Sequence, residues 1–568
     1  MKTIGLINSN YSLLLTKSLN SKISDFLSNV LLLQLRIIIL ACLLTVSTSY
    51  QSEDNCIGKI STEQFLPVFM ADMTMRLMSV SENDTLEAMK KNLEYSGLVK
   101  AFYTVNGCRP VWTVNNILTK DSREFINLVE RSAYYGLNMN SYGIGSIKKL
   151  ASELEESDII SNNIRLREDL ELLITDASFK FMIHLNRGLH YSDRDSSTAV
   201  YINSLPAYLS ASINNGNMLT GILSLQPDND NYKRLQKALE RYLERVSLND
   251  EEYDIPVPEK DPENARIQAA KVLVSHGYLA EADVDVDTIY KTALINFQVF
   301  HGLEPDGNLD KDTRDALSKS TRYRYNQIAL NLDRLRDEQV LGDKYIFVNI
   351  PAFKLRIIEK SEVRQEYNVI VGKPASPTPV MSSRIEKIIT NPFWNVPKKI
   401  TLYELLPQIK KDSMYLKRHR FKLIDSKLNV TDHSQINWNN VSADNFNYFI
   451  RQDASSSNAL GIVKFIFDNP YHIYLHDTPG KKLFERNTRA FSHGCIRLQN
   501  PEKLAEYLVK NNCCGMDEMQ IKNLLERGIH REIEVTSPLN IYVRYLTCEA
   551  DDHYNIYFLN DIYRQDNL

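Results

Sequence analysis

The chain has 568 residues, a length that predicts three or more folded units rather than one. Hydrophobic residues make up 43% and charged residues 24%, which is ordinary for a globular protein with a large core. Lysine and arginine number 67 against 71 aspartate and glutamate, giving a formal net charge of -4. The sequence therefore carries no overall basic field of the kind that indicates a nucleic-acid partner.

The first 49 residues have the pattern of an export signal. Ile37 to Val46 is apolar apart from one threonine, Arg36 precedes it, and small residues follow it at 47–49. The longer apolar stretch that begins at Val30 is broken by Gln34 and Arg36, so it is a poor membrane span of about 20 residues. We expect residues 1–49 to be a signal peptide or a signal anchor, and the protein to be exported.

The cysteines are compatible with an oxidising compartment but do not define a disulfide pattern. Besides Cys42 inside the signal, the cysteines are Cys56, Cys108, Cys495, Cys513, Cys514 and Cys548. If one of these six is a reactive thiol, the other five can form at most two disulfides, whose connectivity the sequence leaves open. No Cys/His spacing indicates a zinc site, and we expect no metal and no cofactor.

Residues 50–260 have a mostly helical pattern. Apolar residues recur at three- and four-residue spacing in Thr85–Leu98, Ser122–Tyr135 and Leu166–Gly188. No cluster of catalytic residue types stands out there. We predict a helical scaffold domain that ends in an acidic, proline-bearing linker from Asn249 to Pro262.

Residues 265–320 predict a separate unit of three helices. Apolar positions from Ile267 to Val274 mark the first helix, and Tyr290 to His301 form the second, which ends at a glycine. A Pro-Asp-Gly turn then leads into a third helix that starts near Asp310.

Near the end of the chain, Ser492-His493-Gly494-Cys495-Ile496-Arg497 begins sixteen positions after His476. A thiol with its ordinary pKa of about 8.5 is only a few per cent thiolate at neutral pH, so a catalytic cysteine needs an imidazole or another positive group beside it. Most single cysteine and histidine residues are simply buried. The neighbouring glycine and arginine, together with the second histidine, favour a catalytic cysteine instead.

The segment before His476 predicts a β-hairpin. Val463–Phe467 and Tyr471–Leu475 are rich in β-branched and aromatic residues, and an Asp-Asn-Pro turn separates them. Because side chains alternate along a strand, His472, Tyr474 and His476 should share one face.

These residues resemble the active-site signature of L,D-transpeptidases with a YkuD-type catalytic domain, and the chain looks closest to the large periplasmic YcbB-type enzymes. The resemblance implies that Cys495 is the nucleophile and forms a thioester with a peptidoglycan stem peptide. It implies that His476 is the general base and that the backbone carbonyl of Asp477 orients its imidazole.

The same resemblance implies roles for the residues around the nucleophile. Amides near His493 and Gly494 would form an oxyanion hole with that of Cys495, and Tyr474 is a further candidate donor. The expected substrate-binding residues are Ser492, Asn458 and Arg497. Arg497 suits a carboxylate, because its guanidinium is planar and lies two residues from the thiol.

Further blocks extend the resemblance over about 200 residues and imply a catalytic domain over 343–568. They include Tyr345–Phe353, Val369–Pro374, Asn391–Pro397 and Asn458–Gly461. Residues 400–450 do not alternate like a sheet and are rich in lysine and arginine. They match the position of the family's capping subdomain, although a charge run is as often a solvated face.

The three-helix unit also has a family resemblance. Ala293–Leu303, Asp306-Gly307 and Thr313 resemble a three-helix peptidoglycan-binding module common in envelope hydrolases. An ordinary helical bundle would explain the apolar positions, but not their coincidence with Gln298 and the Asp-Gly pair.

The predicted fold class is α+β multidomain: a helical N-terminal scaffold, a three-helix peptidoglycan-binding-like module, and a mostly-β YkuD-type catalytic domain with an inserted capping subdomain. The resemblance implies a peptidoglycan L,D-transpeptidase on the periplasmic side of the inner membrane. Its partners would be stem peptides and glycan strands, with a possible membrane anchor and no nucleic acid.

Two alternatives stay open on the sequence. The chain could be a non-catalytic peptidoglycan-binding scaffold of the envelope, although an altered Cys495 or His476 would be expected then. It could also be a secreted cysteine protease, but such an enzyme needs an Asn or Asp partner, and the local pattern of those proteases is missing.

Overall fold

The computed structural model describes residues 66–79, 86–89, 91–156, 163–189, 196–338, 341–412, 414–427, 429–442, 444–512 and 515–568. The predicted signal segment and Cys56, Cys513 and Cys514 lie outside the described residues. Within the described ranges, Cys108, Cys495 and Cys548 are free thiols. No helix in those ranges is long and apolar enough to cross a membrane.

The chain divides into two compact units. Of the described residues, the first unit comprises those up to 132, within 138–185 and within 192–225, and the second comprises those within 133–137, 186–191 and 226–568.

The first unit is mainly helical, as predicted. Its helices are α1 (Leu66–Met78), α2 (Ser96–Val105), α3 (Lys120–Glu130), α4 (Ile144–Glu155), α5 (Ile164–Arg187), α6 (Ser196–Asn214) and α7 (Met218–Leu223). Two short hairpins accompany them: β1 (Glu87–Ala88) with β2 (Lys91–Asn92), and β3 (Thr113–Val114) with β4 (Ile117–Leu118).

One helix prediction in this unit is wrong in part. Glu87–Ala88 and Lys91–Asn92 of the expected helix Thr85–Leu98 form the strands of the first hairpin, and the helix begins only at Ser96. Met89 has φ 51°, in the left-handed region that ends a helix, and the Ser96 hydroxyl accepts a hydrogen bond from the Leu86 amide. Apolar spacing alone cannot detect such a turn.

A buried carboxylate at the centre of the first unit is structural. Glu171 on α5 is fully buried, and its oxygens accept hydrogen bonds from the Tyr103 and Thr113 hydroxyls and the Val111 and Trp112 amides at 2.6–2.9 Å. Burial raises the pKa of Glu171, and these donors oppose the rise. A carboxylate that the protein itself satisfies so fully holds α2, α5 and the loop before β3 together.

From Gln226 onward the second unit contains helix α8 (Asp230–Arg245) and then the predicted three helices: α9 (Pro262–Ser275), α10 (Asp287–Phe300) and α11 (Lys311–Leu317). Asp261 caps α9 by accepting a hydrogen bond from the Asn264 amide, with proline at the first helical position. A fourth helix, α12 (Thr321–Arg336), follows without having been predicted. We call α9 to α11 the module.

Gln298 has a structural position inside the module. Its side chain is fully buried, and its oxygen accepts a hydrogen bond from the Gly307 amide at 2.8 Å. Its nitrogen donates to the Asn308 carbonyl at 2.9 Å and to the Thr313 hydroxyl at 3.2 Å. Gln298 thus fixes the turn between α10 and α11, which explains why it accompanies the Asp-Gly pair in the sequence.

The C-terminal half of the second unit is built on a nine-stranded sheet. In spatial order the strands are β15 (Ala490–Ser492), β7 (Glu362–Gly372), β16 (Ile496–Leu498), β14 (Leu475–His476), β13 (Val463–Phe467), β8 (Met381–Thr390), β17 (Arg531–Arg544), β5 (Lys344–Asn349) and β6 (Lys354–Glu359). Because β6 also pairs with β7, eight strands form a closed ring, with β15 on its outside. Closure leaves few free strand edges and encloses a core.

The ring is filled by side chains from alternate positions of its strands. Ile346, Val348, Leu355, Ile357 and Phe465 are each at most 1% exposed, and helices α16 (Pro501–Asn512) and α17 (Glu518–Glu526) pack against the same core. Strand β17 runs the full length of this ring wall, with an irregularity between Glu534 and Leu539.

The capping region has its own small sheet and core. Its strands pair in the order β11 (Val430–Thr431), β10 (Phe421–Ile424), β12 (Phe449–Gln452), β9 (Trp394–Asn395), beside helices α13 (Lys398–Ile400), α14 (Leu406–Lys411) and α15 (Tyr415–Arg418). The expectation that 400–450 contains no sheet is therefore wrong. We call residues 394–452 the cap. Its lysine and arginine side chains at 410–420 are exposed.

The chain ends in a hairpin of β18 (Cys548–Ala550) and β19 (Ile556–Phe558). This hairpin packs on α8 and α12, and the Gln327 amide on α12 donates a hydrogen bond to the Thr547 carbonyl at 2.8 Å. Together, the helical scaffold, the module and the mostly-β C-terminal half confirm the predicted fold class.

Candidate active site

Three neighbouring strands bring the predicted catalytic residues together. In β14, Leu475 lies opposite Ile496 and His476 lies opposite Arg497 of the parallel strand β16. On the other side, His476 lies opposite Lys464 of the antiparallel strand β13. Since Cys495 immediately precedes β16, this register places the thiol next to the strand that carries His476.

The second strand of the predicted hairpin is shorter than expected. Only Leu475 and His476 are paired, because Asn469 organises residues 471–474 as a loop. The Asn469 oxygen accepts hydrogen bonds from the Tyr471 and Ile473 amides at 3.2 and 3.0 Å. His472 is exposed with φ 57°, so it does not share the face of Tyr474 and His476.

His476 is held as a neutral imidazole. Its ring is buried, and Nδ1 lies 2.5 Å from the carbonyl oxygen of Asp477, to which it donates. Burial lowers the pKa of His476 to about 3, helped by the positive charges of Arg497 and Lys464. With Nδ1 carrying the proton, Nε2 has a free lone pair that can accept another.

The carbonyl of Asp477 is fixed by the side chain of the same residue. Its buried carboxylate accepts a hydrogen bond from the Ile462 amide at 3.0 Å and contacts the ammonium of Lys481. Gly461 lies against this carboxylate with φ 62°, and any side chain there would collide with it. The loop before β13 therefore sets the position of the group that orients His476.

Cys495 is half-buried, and the groups around it shift the pKa of its thiol in opposite directions. Burial raises the pKa of the Cys495 thiol, while the Tyr474 amide and hydroxyl and the positive charges of Lys464 and Arg497 lower it. Among the described residues no hydrogen bond joins Cys495 to His476. Catalytic hydrogen bonds are often long before substrate binds and shorten in the complex.

Lys464 is a residue of this site that the sequence analysis did not identify. Its Nζ lies 3.7 Å from the centre of the Tyr474 ring, which also packs edge-on against His476 at 5.6 Å. Burial lowers the pKa of Lys464, and the negative charge of a Cys495 thiolate raises it. A lone lysine within an otherwise apolar strand was the available signal.

Gly494 and Ser492 shape the turn that carries the nucleophile. The Ser492 hydroxyl donates to the Cys495 carbonyl at 2.5 Å and accepts from the Gly494 amide at 3.1 Å. Gly494 has φ 115°, and a side chain there would press on Ile473. The Gly494 amide is therefore already used inside the turn, and among the three amides expected to form an oxyanion hole those of His493 and Cys495 remain as candidates. The Ser492 hydroxyl is likewise engaged by the turn.

The side chain of His493 faces the cap. Its Nε2 lies 2.6 Å from a carboxylate oxygen of Glu404 and 3.5 Å from Nζ of Lys373. Glu404 belongs to a π-helix at Thr401–Leu405, an irregularity frequent at functional sites. This contact joins the cap to the nucleophile turn, and no pattern in the sequence indicates it.

Arg497 and Asn458 differ in their capacity to bind a ligand. The Nε atom of Arg497 is buried and has no hydrogen-bond partner within the described residues, and burial lowers the pKa of its guanidinium. Asn458 is fully buried, and its amide bonds the Pro392, Gln452 and Asp453 carbonyls and the Leu460 amide at 2.8–3.3 Å. Both ends of the Asn458 amide are thus engaged inside the protein, and its expected substrate contact stays a prediction that this geometry does not support.

Metal-ligating side chains do not gather at this site. In the part of the chain that the structure describes, no group of three or more His, Cys, Asp or Glu residues is arranged to hold a metal ion.

Comparison with known families divides the chain into three segments. Residues 343–516 match the L,D-transpeptidase catalytic domain called YkuD, residues 97–239 match a scaffold domain, and residues 262–317 match a "putative peptidoglycan binding domain". A Haemophilus influenzae protein named "Putative L,D-transpeptidase" is 33% identical over 322 residues, which is 54% of this chain. The chain spans 64% of the length of that relative.

Solved structures of L,D-transpeptidases resemble the chain only remotely. A mutant of the Enterococcus faecium L,D-transpeptidase is 13% identical, with 37% of this chain and 52% of that chain covered and a TM-score of 0.16. Mycobacterium tuberculosis L,D-transpeptidase 1 is 15% identical, with 36% and 61% covered and a TM-score of 0.14.

Proposed function

Since residues 343–516 match the YkuD family of L,D-transpeptidase catalytic domains, we propose that this protein is a peptidoglycan L,D-transpeptidase that forms 3-3 cross-links between stem peptides. The observation that carries the proposal is the neutral, buried His476, whose Nδ1 is bonded to the Asp477 carbonyl, on the strand beside Cys495. An imidazole fixed in that tautomer next to a thiol is the arrangement that nucleophilic catalysis by cysteine requires.

In the first half-reaction the thiol of Cys495 attacks a carbonyl carbon of the donor stem peptide. The thiol proton passes to Nε2 of His476, and the new imidazolium is stabilised by the Asp477 carbonyl. The His493 and Cys495 amides stabilise the negative oxygen of the tetrahedral intermediate. When the intermediate collapses, the C–N bond breaks and the imidazolium gives its proton to the leaving amine, so the acyl group stays on sulfur as a thioester.

In the second half-reaction an amine of the acceptor stem attacks the thioester carbonyl. His476 takes the proton that this amine loses, and the C–S bond breaks to return the thiolate, which regains the proton. A water molecule in place of the amine would give hydrolysis, so the outcome depends on which nucleophile reaches the thioester. The module, which matches a putative peptidoglycan-binding family, favours a polymer-bound acceptor.

Arg497 is the residue that we assign to a substrate carboxylate. It follows the nucleophile by two residues, and its buried Nε has no hydrogen-bond partner in the described ranges. Burying a guanidinium without a carboxylate partner raises the free energy of the folded protein. A substrate carboxylate would offset that cost by a charge-assisted hydrogen bond.

A wall-binding scaffold without catalysis is the second candidate function. The match of residues 262–317 to a peptidoglycan-binding family supports it. A scaffold, however, has no need for a fixed histidine tautomer beside a thiol.

The proposed substrate also suggests the location of the protein. We propose that it acts on the periplasmic side of the cell envelope, reached through an export signal in residues 1–49.

Intact-mass measurement after incubation with a tetrapeptide stem or a carbapenem tests the proposal. We expect a covalent increment on the wild-type protein and none on Cys495→Ala. With dimeric stem substrates, mass spectrometry should then identify 3-3 linked products. An unmodified wild-type protein would support the scaffold instead, and an increment that persists in Cys495→Ala would place the nucleophile elsewhere.

A further inference from the structure

A cavity of about 620 Å³ lies in the second unit, away from the thiol. One side is formed by His301–Leu303, which follow α10 within the module. The opposite side is formed by β5 to β7 of the catalytic ring. The C-terminal hairpin and the loop at 487–489 complete its walls. Its volume is in the range of sites that bind small molecules, about 300–1,000 Å³.

The walls of this cavity are firmly connected. The Asn487 amide donates to a carboxylate oxygen of Glu304 at 2.9 Å, which ties the loop to the module. Phe300 packs on Tyr557 with ring centres 5.2 Å apart, and His301 stacks on Phe558 at 5.1 Å. The cavity is therefore bounded by packed elements rather than by loose loops.

Charge is balanced across the lining. The cationic side chains are Arg234, Lys354, Arg356 and Arg489, and the carboxylates are Glu366, Glu549, Asp551 and Asp552. Most are paired: Arg356 bonds both oxygens of Glu549 at 2.8 and 3.0 Å and Glu366 at 2.8 Å, and Lys354 bonds Glu366 at 2.6 Å. A lining without excess charge favours a neutral ligand over an acidic stem peptide.

The lining nevertheless offers many hydrogen-bond donors and acceptors. Guanidinium and carboxylate groups in fixed planes form one wall, and the amide of Asn487 and the hydroxyl of Thr488 lie exposed at the rim. Phe353, Leu303 and Val363 add apolar surface beside them. Hydroxyl-rich molecules with apolar ring faces and acetyl methyl groups match this mixture, because every polar contact can be made by a neutral group.

The cavity is connected to the nucleophile by a single strand. Arg489 lines the cavity, and β15 runs from Ala490 to Ser492 beside β7 into the turn that carries Cys495. At about 3.3 Å per residue, the six steps from Arg489 to Cys495 span at most about 20 Å. An extended tetrapeptide covers about 14 Å. A stem peptide attached to a sugar at the rim would therefore come close to the thiol.

We propose that this cavity, here called the interdomain cavity, binds one or two N-acetylated sugar residues of a glycan strand and so directs the attached stem peptide towards Cys495. The inference rests on the proposed function, since it assigns a glycan subsite to the same substrate. It places saccharide recognition in a cavity shared by the module and the catalytic ring.

Titration of the full-length protein with tri-N-acetylglucosamine, followed by isothermal calorimetry or ligand-observed NMR, tests this assignment. Val363 is 48% exposed and lines the cavity, so Val363→Trp should fill the space without disturbing the core. We expect at least tenfold weaker binding in Val363→Trp. Val299→Trp is the matched control, because Val299 is 43% exposed on α10 but does not line the cavity.

Thr488→Trp is a second blocking variant at the rim, and the thermal midpoint of each variant reports its folding. Absence of saccharide binding by the wild type, or equal binding by the blocked and control variants, overturns the proposal. Binding of a free stem tetrapeptide in the cavity instead of the sugar also overturns it. Acylation of Cys495 by a carbapenem should be unchanged in Val363→Trp. Failure of the glycan proposal would therefore appear in the saccharide titration alone, whereas failure of the proposed transpeptidase function would appear as absence of acylation in the wild type.

Discussion

In the proposed mechanism, proton transfer at Cys495 depends on one imidazole, and the structure distinguishes His476 from the neighbouring His472. His476 is buried and bonded to the Asp477 carbonyl, whereas His472 is exposed on the preceding loop. We expect His476→Ala to slow acylation of Cys495 by about 10²–10⁴-fold, the usual contribution of a positioned general base. Stopped-flow measurement of carbapenem or stem-peptide acylation gives this rate.

His472→Asn is the matched control for that measurement, because asparagine tolerates the left-handed backbone conformation of this position. Its acylation rate should equal that of the wild type. A comparable loss in the two variants would show that the base is assigned to the wrong histidine.

Lys464 should govern how readily the thiol ionises. Because the His476 imidazole is neutral, the positive charges beside Cys495 are those of Lys464 and Arg497. Lys464→Met should therefore raise the pKa of Cys495, so that alkylation of the thiol by iodoacetamide requires a higher pH. The measurement is the pH dependence of the alkylation rate, and Lys464→Arg should restore the wild-type profile.

The control for the lysine is Lys387→Met on the adjacent strand β8, where Lys387 pairs with Glu532 at 2.8 Å on the surface. Its alkylation profile should not move. An unchanged profile in Lys464→Met would mean that Lys464 acts only in packing against Tyr474.

At the scale of elements, the nucleophile turn is supported by two other segments. The Thr378 hydroxyl donates to the Gly494 carbonyl at 2.7 Å and accepts from the Gly372 amide at 2.9 Å. The Tyr563 hydroxyl, near the C-terminus, donates to the Gly372 carbonyl at 2.6 Å and accepts from the Thr378 amide at 3.1 Å. The end of β7 and the C-terminal segment thus fix the backbone on which Cys495 sits.

Thr378→Val keeps the shape of this buried side chain but removes its hydroxyl. It leaves a buried carbonyl unsatisfied, so we expect a loss of stability of about 1–3 kcal/mol and slower acylation, because Gly494 is less firmly held. Thr321→Val is the control, since the buried Thr321 hydroxyl likewise bonds backbone groups of Ser247 and Asn249, far along the chain. Thr321→Val should lower the thermal midpoint while leaving the acylation rate unchanged. Equal acylation rates in Thr378→Val and Thr321→Val would contradict this role of Thr378.

The sequence predicts correctly those elements whose conformation is determined by residues within the same segment. It fails where a side chain outside the segment determines the backbone path or the role of a residue. The three helices of the module were predicted because apolar spacing and turn residues lie within each segment. The strand predicted at Tyr471–Leu475 is wrong for residues 471–474, because a single Asn469 side chain redirects the backbone there. Asn458 was assigned to substrate, yet its partners Pro392 and Gln452 come from segments whose proximity only the fold reveals. The Glu404 contact to His493 likewise joins residues that are 89 positions apart.

At the scale of the whole molecule, buried histidines link stability to pH in the second unit. His276, at the end of α9, is 6% exposed, and its Nε2 donates to the Lys319 carbonyl at 3.0 Å. Burial and the nearby charge of Arg324 lower its pKa to about 4. In the unfolded chain this histidine should titrate near 6.5, so below that pH the unfolded state binds more protons than the folded state.

The sign of this difference means that stability is fully present above pH 6.5 and falls as the pH is lowered towards 4. For His276 alone, the loss between pH 7 and pH 5 should be about 2 kcal/mol. His276→Gln retains a donor for the Lys319 carbonyl but cannot be protonated, so its thermal midpoint should fall less between these two pH values than that of the wild type. Differential scanning fluorimetry at pH 5, 6 and 7 makes the comparison, with His472→Asn as the exposed control. Parallel pH dependences of the wild type and His276→Gln would show that His276 does not contribute to acid sensitivity.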